Sequence, residues 1–301
     1  MYNLNFNSLT KKDFSQFKSI IHSGAYSNSE SSLTNMYIWQ HYYNAKYCIY
    51  DDTIYSIFDS KSDGIQSFMP YGNLRNTEKC VDKILDYYNN VLKKDLVVNY
   101  ATDDFLEFLK ETNKYKISYS EMPASFDYVY NTLDLIELKG RKYHSKKNNY
   151  NSFAKKYDFE YKKYTSDMKA ECIEFCSKVV EEHSQGNKTL YESEMISINK
   201  AFDAYDELNL VCSVITVGGR IVALGVGERL NDEYAIIHIE KADYNYRDAY
   251  PVINRLMLKN EFSDTIFVNR EEDLGIPGLI KAKRSYLPCK MINKYKIKIS
   301  L

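Results

Sequence analysis

Three side chains near the C-terminal end of this sequence could move protons in a reaction. Glu240 and His238 are two residues apart, so they project from the same face of any strand that contains them. A carboxylate beside an imidazole can accept a proton, and a phenol such as that of Tyr286 can donate one. We therefore predict that Glu240 is a general base assisted by His238, and that Tyr286 is a general acid.

Charged and polar residues are dense around these three. They directly follow a predicted strand or lie on the short helix after it, and they are Asn269, Arg270, Glu271, Asp273, Lys281 and Lys283. We predict that this group contacts the substrate. The carboxylates of Glu271 and Asp273 suit a cationic amine, and the ammonium groups of Lys281 and Lys283 suit phosphate. The alternative is that these charges only solvate a loop and a helix face.

The elements that must position these residues are a strand, a helix and a second strand. Residues 234–240 alternate in the manner of a strand, and residues 251–261 carry apolar side chains at helical spacing. Residues 265–268 form a second short apolar strand. This order predicts a right-handed crossover between parallel strands. Because ligands of open α/β sheets bind at the carboxyl edge of such strands, we expect the site where Glu240 and Arg270 end them.

Both halves of the sequence predict the same order of elements, β-α-α-β-β-β-α-β-α-β. We therefore predict an α/β (α+β) protein with two tandem domains, residues 1–138 and residues 139–301. Each domain has a mixed, mostly antiparallel sheet with one parallel βαβ crossover and flanking helices. The length of 301 residues also suits two domains better than one.

A basic segment, residues 140–156, opens the second predicted domain and contains no acidic residue. It could hold the phosphates of a tRNA or of an anionic lipid headgroup. The candidates in it are Arg141, Lys142, Lys146 and Lys147. The alternative is a solvated linker helix.

Bulk composition limits the class of protein. The chain has 44% hydrophobic and 27% charged residues, which is typical of a folded domain, and its net charge is −1. A near-neutral chain has no overall attraction to nucleic acid or membrane, so such a contact needs a local patch. The six cysteines lack disulfide or zinc spacing, and we predict no metal site. With no signal peptide or membrane-spanning segment, we expect a cytoplasmic protein, with peripheral membrane association left open.

Five segments of the sequence resemble a bacterial family named for the C-terminal domain of phosphatidylglycerol lysyltransferase. They are SESSLTNMYIWQHYY (29–43), MPYGN (69–73), KGRKYHSKKNNYNSF (139–153), HIEKAD (238–243) and NREEDLGIPGLIKAKRSYLP (269–288). The element order of each half is also similar to that of the GNAT-type acyl-CoA N-acyltransferase fold. The resemblance implies two tandem GNAT-like domains.

The resemblance also implies kinship with enzymes that move an aminoacyl group from aminoacyl-tRNA to a lipid or peptide amine. We expect an acyltransferase with no certain cofactor, whose donor is acyl-CoA or aminoacyl-tRNA. In such an aminolysis Glu240 would take the proton of the amine, and Tyr286 would protonate the leaving group. Two alternatives stay open: an acetyl-CoA-dependent N-acetyltransferase, and a non-catalytic module that binds tRNA or a small charged ligand.

The loop before the second crossover helix bears on the donor. Backbone N–H groups that bind a pyrophosphate need glycine for close approach, and residues 243–250 contain none. Arg247 could pair with a phosphate, but Asp243 and Asp248 would repel one. The sequence therefore argues mildly against acetyl-CoA in the second domain. The equivalent loop of the first domain, residues 71–77, has Gly72 and Arg75 and is the better phosphate candidate.

Overall fold

The computed structural model describes residues 4–60, 63–72, 77–184 and 186–301, which form two compact units. The first unit comprises Met1–Asp127, Glu272–Leu279 and Met291–Leu301, and the second comprises Tyr128–Glu271 and Ile280–Lys290. These units differ in extent from the two predicted domains, because residues 128–138 belong to the second unit, whereas residues 272–279 and 291–301 belong to the first.

The helices and strands of the first part of the chain lie before residue 122. In order they are α1 (Phe14–His22), α2 (Leu33–Tyr43), β1 (Lys46–Tyr50), β2 (Thr53–Ser60), β3 (Gly64–Phe68), β4 (Tyr71–Gly72), α3 (Thr77–Tyr87), β5 (Leu96–Ala101), α4 (Asp103–Glu111) and β6 (Lys116–Glu121).

The remaining elements follow from residue 127 onward. In order they are β7 (Asp127–Asn131), α5 (Thr132–Glu137), α6 (His144–Lys156), β8 (Phe159–Lys163), α7 (Lys169–Ser184), α8 (Lys188–Asp203), α9 (Tyr205–Leu208), β9 (Val211–Val217), β10 (Arg220–Arg229), β11 (Tyr234–Ala242), α10 (Ala249–Glu261), β12 (Phe267–Asn269), α11 (Pro277–Arg284), β13 (Lys290–Ile292) and β14 (Tyr295–Ser300).

The sheet of the first unit has the strand order β1-β2-β3-β5-β14-β6, with β4 paired to β2. Strands β3 and β5 are parallel and are joined through α3, whereas their other neighbours are antiparallel. The predicted single crossover in a mostly antiparallel sheet is therefore present. The first strand of the predicted order covers residues 2–6; within the described residues, 4–6 are irregular, and Asn7 forms an isolated bridge to Tyr47.

The C-terminal strand β14 belongs to the first unit. Its buried side chains alternate with its lysines, and it lies between β5 and β6. The last strand of the predicted element order covers residues 289–297, but the structure has two strands there, and the interruption between β13 and β14 includes Lys294. The Lys294 side chain is fully buried, and Nζ donates to Asp127 Oδ1 at 2.7 Å, to Glu30 Oε1 at 2.6 Å and to Ser29 Oγ at 2.8 Å. These contacts account for the break, because a buried ammonium needs carboxylate partners.

The sheet of the second unit runs β7-β12-β11-β10-β9-β8. Strands β11 and β12 are parallel and are joined through α10, as predicted, and their recorded register ends at Ile236 opposite Asn269. Helix α10 packs through Val252 and Ile253 against Phe153 of α6 and Val222 of β10, all fully buried. Burial of one such side chain stabilises the fold by about 1.5–3 kcal/mol.

Helix α7 lies against β10 and β11 and packs on α8. Its Cys172 and Cys176, which are four residues apart, are completely buried and therefore belong to the core. The side chains of Glu240 and Lys241 leave β11 on opposite faces. Glu240 bonds to Asn254 of α10, and Lys241 forms an ion pair with Glu194 of α8. Helices thus cover both faces of β11 at its carboxyl end.

Candidate active site

Glu240 and Arg270 meet at the carboxyl ends of the two parallel strands. Arg270 Nη2 donates to Glu240 Oε1 at 2.9 Å, and Asn254 Nδ2 donates to Glu240 Oε2 at 3.1 Å. The two charged side chains are only 12% and 13% exposed, so their attraction is little screened by water. Each carboxylate oxygen of Glu240, the predicted general base, therefore accepts one hydrogen bond.

Arg270 lies among tyrosine rings. Its guanidinium carbon is 4.8 Å from the ring centre of Tyr286 and 5.6 Å from that of Tyr130. Nη1 is buried and has no hydrogen-bond partner in the described part of the chain. Burial lowers the pKa of Arg270, but Glu240 and the two tyrosines more than offset this effect, so the guanidinium stays charged. The site therefore presents one charged hydrogen-bond donor, Arg270 Nη1, that is buried and has no partner among the described residues.

The turn after β12 fixes the direction of Arg270. Asn269 is fully buried, and its Oδ1 accepts from the backbone N of Glu271 at 2.7 Å. Lys283 Nζ donates to the carbonyl of Arg270, and to that of Glu271 at 3.1 Å. Glu271 has a left-handed φ of 57°, which is uncommon for a residue other than glycine. Asn269 and Lys283, predicted as substrate ligands, thus support the turn that carries Arg270.

His238 does not contact Glu240. Its Nε2 is 3.1 Å from Glu228 Oε1, its Nδ1 is 2.9 Å from Glu271 Oε1, and its side chain is 1% exposed. Burial lowers the pKa of His238, but the two carboxylates outweigh it and raise the pKa to about 9. The ring is therefore a buried cation near neutral pH. This geometry differs from the predicted assistance to a base, and it engages the Glu271 carboxylate that we had assigned to a substrate amine.

The remaining predicted residues of the 269–288 motif have separate surroundings. Asp273, in the first unit, is 5% exposed, and its Oδ1 accepts from the backbone N of Gly275 at 2.8 Å. Lys281 is exposed on α11.

Tyr286 is 6% exposed, and its ring contacts two basic side chains. Besides Arg270, the Nζ atom of Lys146 lies 3.9 Å from its ring centre. Burial raises the pKa of Tyr286, so its hydroxyl stays protonated and can donate. Burial and the nearby Arg270 charge lower the pKa of Lys146. Lys146, predicted as a phosphate-binding residue, thus contacts the same ring as Arg270 does.

In the loop between β11 and α10, the Asp243 carboxylate accepts hydrogen bonds from a backbone N–H group of the loop and from a lysine. Asp243 Oδ1 accepts from the backbone N of Asn245 at 2.9 Å, and Oδ2 accepts from Lys178 Nζ at 2.9 Å. Asp248 precedes α10 with a left-handed φ of 72°. Arg247 is 88% exposed and lies beside Asp248, 3.9 Å from Nε to Oδ2. The corresponding loop of the first unit includes residues 73–76 and hence Arg75, which lie outside the described residues.

The basic segment folds as a helical turn over residues 141–143 followed by α6. Tyr143 and Phe153 are buried and anchor it. Its exposed basic side chains include Arg141, Lys142 and Lys147. Lys142 Nζ is 3.2 Å from Asp134 Oδ2, and this ion pair is well exposed. The segment is therefore an anchored helix with a basic outer surface.

Two residues of the site were missed by the sequence reasoning. Asn254 is 3% exposed, and its signal was a polar residue within the apolar face of a predicted helix. Tyr130 is 1% exposed and had no signal, since tyrosine is abundant throughout this chain.

Two α/β units, each with one parallel crossover in a mixed sheet, define a tandem GNAT-type acyltransferase fold. The chain belongs to the phosphatidylglycerol lysyltransferase C-terminal family, whose profile matches residues 23–298. The resemblance seen in the sequence is thereby confirmed. No helix in the described ranges is both long and apolar enough to cross a lipid bilayer.

Three similar proteins illustrate the range of this likeness. A conserved protein of unknown function from Bacteroides thetaiotaomicron is 27% identical, with a TM-score of 0.91 over 99% of this chain and 100% of that chain. The C-terminal domain of a putative lysylphosphatidylglycerol synthetase from Agrobacterium fabrum is 11% identical, with a TM-score of 0.68 over 96% and 92%, and shows the fold alone. An uncharacterised protein of Mycoplasmoides gallisepticum is 24% identical over 178 residues, which span 58% of this chain and 57% of that relative.

Proposed function

We propose that this chain transfers an acyl group, and specifically the aminoacyl group of an aminoacyl-tRNA, to an amine or to a lipid or peptide acceptor. The observation that carries this proposal is the unused Nη1 donor of Arg270, held in a nearly dry cluster at the carboxyl edge of the parallel strands. Acyl transfer needs such a donor, because negative charge develops on the carbonyl oxygen in the transition state.

The reaction can be written around this donor. The nucleophile bonds to the carbonyl carbon, and the carbonyl oxygen becomes an oxyanion that accepts a hydrogen bond from Arg270 Nη1. Glu240 orients the guanidinium by bonding to Nη2. When the ester C–O bond breaks, the Tyr286 hydroxyl donates its proton to the leaving oxygen. Removing one such oxyanion donor typically slows acyl transfer about 100-fold to 1,000-fold.

The surroundings favour an aminoacyl-tRNA donor over acetyl-CoA. The Asp243 carboxylate occupies the backbone N–H of Asn245, at the place where a GNAT-type loop would bind pyrophosphate. The exposed basic side chains of Arg141, Lys142 and Lys147 could instead bind the phosphates of an RNA. The same side chains would bring the chain to an anionic membrane surface if the acceptor is a lipid.

A transfer assay tests the proposal. Purified protein is incubated with aminoacyl-tRNAs labelled in the amino acid, and with either a peptide amine or vesicles that contain phosphatidylglycerol. We expect label to move to one of these acceptors, and we expect R270M to lose at least about 100-fold in rate. The control R220M replaces an exposed arginine of the β9–β10 hairpin and should keep full activity. Transfer from acetyl-CoA but not from aminoacyl-tRNA would overturn the donor assignment.

A further inference from the structure

Lys146 has an unusual environment for a lysine. It lies in the first turn of α6 and is half-buried. Its Nζ atom lies 3.9 Å from the ring centre of Tyr286. No carboxylate of the described residues forms an ion pair or hydrogen bond with it. Arg270 contacts the same ring. A half-buried ammonium without a carboxylate partner, beside a guanidinium, is costly to keep charged.

The charged groups that face Lys146 come from three elements. Arg270 follows β12 and repels a proton on Nζ, whereas Glu240 of β11 and Asp248 before α10 attract one. Glu240 is already paired with Arg270, so its attraction is largely compensated. Burial, followed by the Arg270 charge, lowers the pKa of Lys146 despite both carboxylates. A lysine near another cation in this way gives up its proton more readily than a free lysine does.

The transfer step needs a proton acceptor, and both Glu240, the predicted base, and His238, its predicted partner, are already engaged. His238 is a cation between two carboxylates, and both oxygens of Glu240 accept hydrogen bonds. We propose that Lys146 Nζ is the general base that takes the proton from the attacking nucleophile. The inference rests on the proposed acyl transfer and adds a catalytic residue to it.

The step balances in atoms and charge. The neutral amine of Lys146 removes one proton from the nucleophile as the nucleophile bonds to the carbonyl carbon. The leaving oxygen departs with the proton that Tyr286 supplies. Return of the proton from the Lys146 ammonium to the Tyr286 phenolate then restores both side chains, so the reaction needs no external acid, base or oxidant.

Three variants in the transfer assay distinguish a base from a mere positive charge. Both K146M and K146R should lose at least about 100-fold in kcat/KM, because arginine keeps the charge but cannot accept a proton at neutral pH. The control K155M replaces an exposed lysine of the same helix and should keep full activity. The wild-type rate should also fall as the pH is lowered, because Lys146 becomes protonated. The residual activity of K146M should not show this fall. Near-wild-type activity in K146R would overturn the proposal and leave Lys146 as an anion-binding residue.

A second measurement needs no substrate. Trace acetylation with acetic anhydride, read by peptide mass spectrometry between about pH 6 and pH 11, follows the neutral fraction of each lysine. Lys146 should gain reactivity at lower pH than Lys155 does, and R270M should reduce that difference. If Lys146 titrates with Lys155, the inference is wrong even if transfer is observed. If Lys146 titrates early but no aminoacyl donor is used, the proposed function fails while the reactive lysine stands.

Discussion

Glu240 and Arg270, 30 residues apart in sequence, form an ion pair in which each partner is about seven-eighths buried. The pair uses Nη2 of the guanidinium and leaves Nη1 without a partner among the described residues. A second hydrogen bond, from Asn254, fixes the other carboxylate oxygen. We therefore propose that Glu240 acts on a bound carbonyl through Arg270, because each of its oxygens already accepts a hydrogen bond.

The first prediction concerns this orientation. We expect E240Q to lower kcat/KM about 100-fold, because the neutral amide no longer holds the guanidinium by charge. Its NH2 group would also face one of the two donors, Arg270 Nη2 or Asn254 Nδ2, in place of an acceptor. The fold should persist, as checked by circular dichroism and gel filtration. E192Q removes a carboxylate from the exposed side of α8 and serves as the matched control. Full activity in E240Q would sink the assignment of Glu240 to the site.

The second prediction concerns the buried cation His238. Its pKa is about 9 in the folded protein against 6.5 normally, so the folded state holds the proton more tightly. The resulting stability is fully present below about pH 6.5 and is lost as pH rises through about 9. We expect this group to remove at most about 3 kcal/mol from the free energy of unfolding across that window. Urea denaturation at several pH values measures the loss.

Two histidine variants isolate this effect. H238Q should be less stable at low pH and should lack this part of the pH dependence. H22Q replaces an exposed histidine at the end of α1 and should retain it. An unchanged pH dependence in H238Q would show that other groups control stability in this range.

The third prediction concerns Lys294 in the first unit. Removing one partner of a buried ion pair leaves an uncompensated charge, which typically costs about 3–5 kcal/mol. We expect K294M to lower the free energy of unfolding by this amount, since the carboxylates of Asp127 and Glu30 would stay buried without their cation. K298M, on the same stretch of chain, removes a lysine from an exposed ion pair with Asp95 and should change stability by less than about 1 kcal/mol. Equal losses in the two variants would contradict this account.

The fourth prediction concerns the acyl donor. A ligand at about 100 times its dissociation constant stabilises the folded protein by about 2.7 kcal/mol, which thermal denaturation detects. We expect no change in melting temperature with acetyl-CoA or CoA, because Asp243 occupies a backbone N–H group of the loop before α10. We expect a higher melting temperature with a lysine-amide mimic of the aminoacyl group. A shift with CoA alone would favour the N-acetyltransferase alternative.

The fifth prediction concerns the outer surface of α6 and the turn before it. Replacing Arg141, Lys142 and Lys147 together by glutamine should weaken tRNA binding, and should reduce the slope of log K against log salt by about 2. A control triple variant of K188Q, R220Q and K259Q removes the same charge from other exposed positions of the second unit. Equal weakening by both triples would indicate a non-specific charge effect and no binding surface at α6.

Several features of the fold follow from local pattern. The alternation in residues 234–240 and the helical spacing in residues 251–261 predicted β11 and α10, and the parallel pairing of β11 with β12 is present. The family motifs predicted the tandem GNAT-type fold, which is also observed. The break at Lys294 was not predictable, because a lone lysine in an alternating stretch looks like an outward-facing strand residue. Its partners Glu30 and Asp127 lie 264 and 167 residues away.

By itself the sequence determined most of the helices and strands, the family, and the strand ends that carry Glu240 and Arg270. The tertiary structure alone decided the partners: His238 is bound by Glu228 and Glu271, and Lys146 and Arg270 contact the same ring, that of Tyr286. The physical reason is that a period of two residues fixes the face on which a side chain lies, whereas its neighbours on that face come from distant segments. Whether a titratable group is a base, a buried cation or an anchor depends on those neighbours.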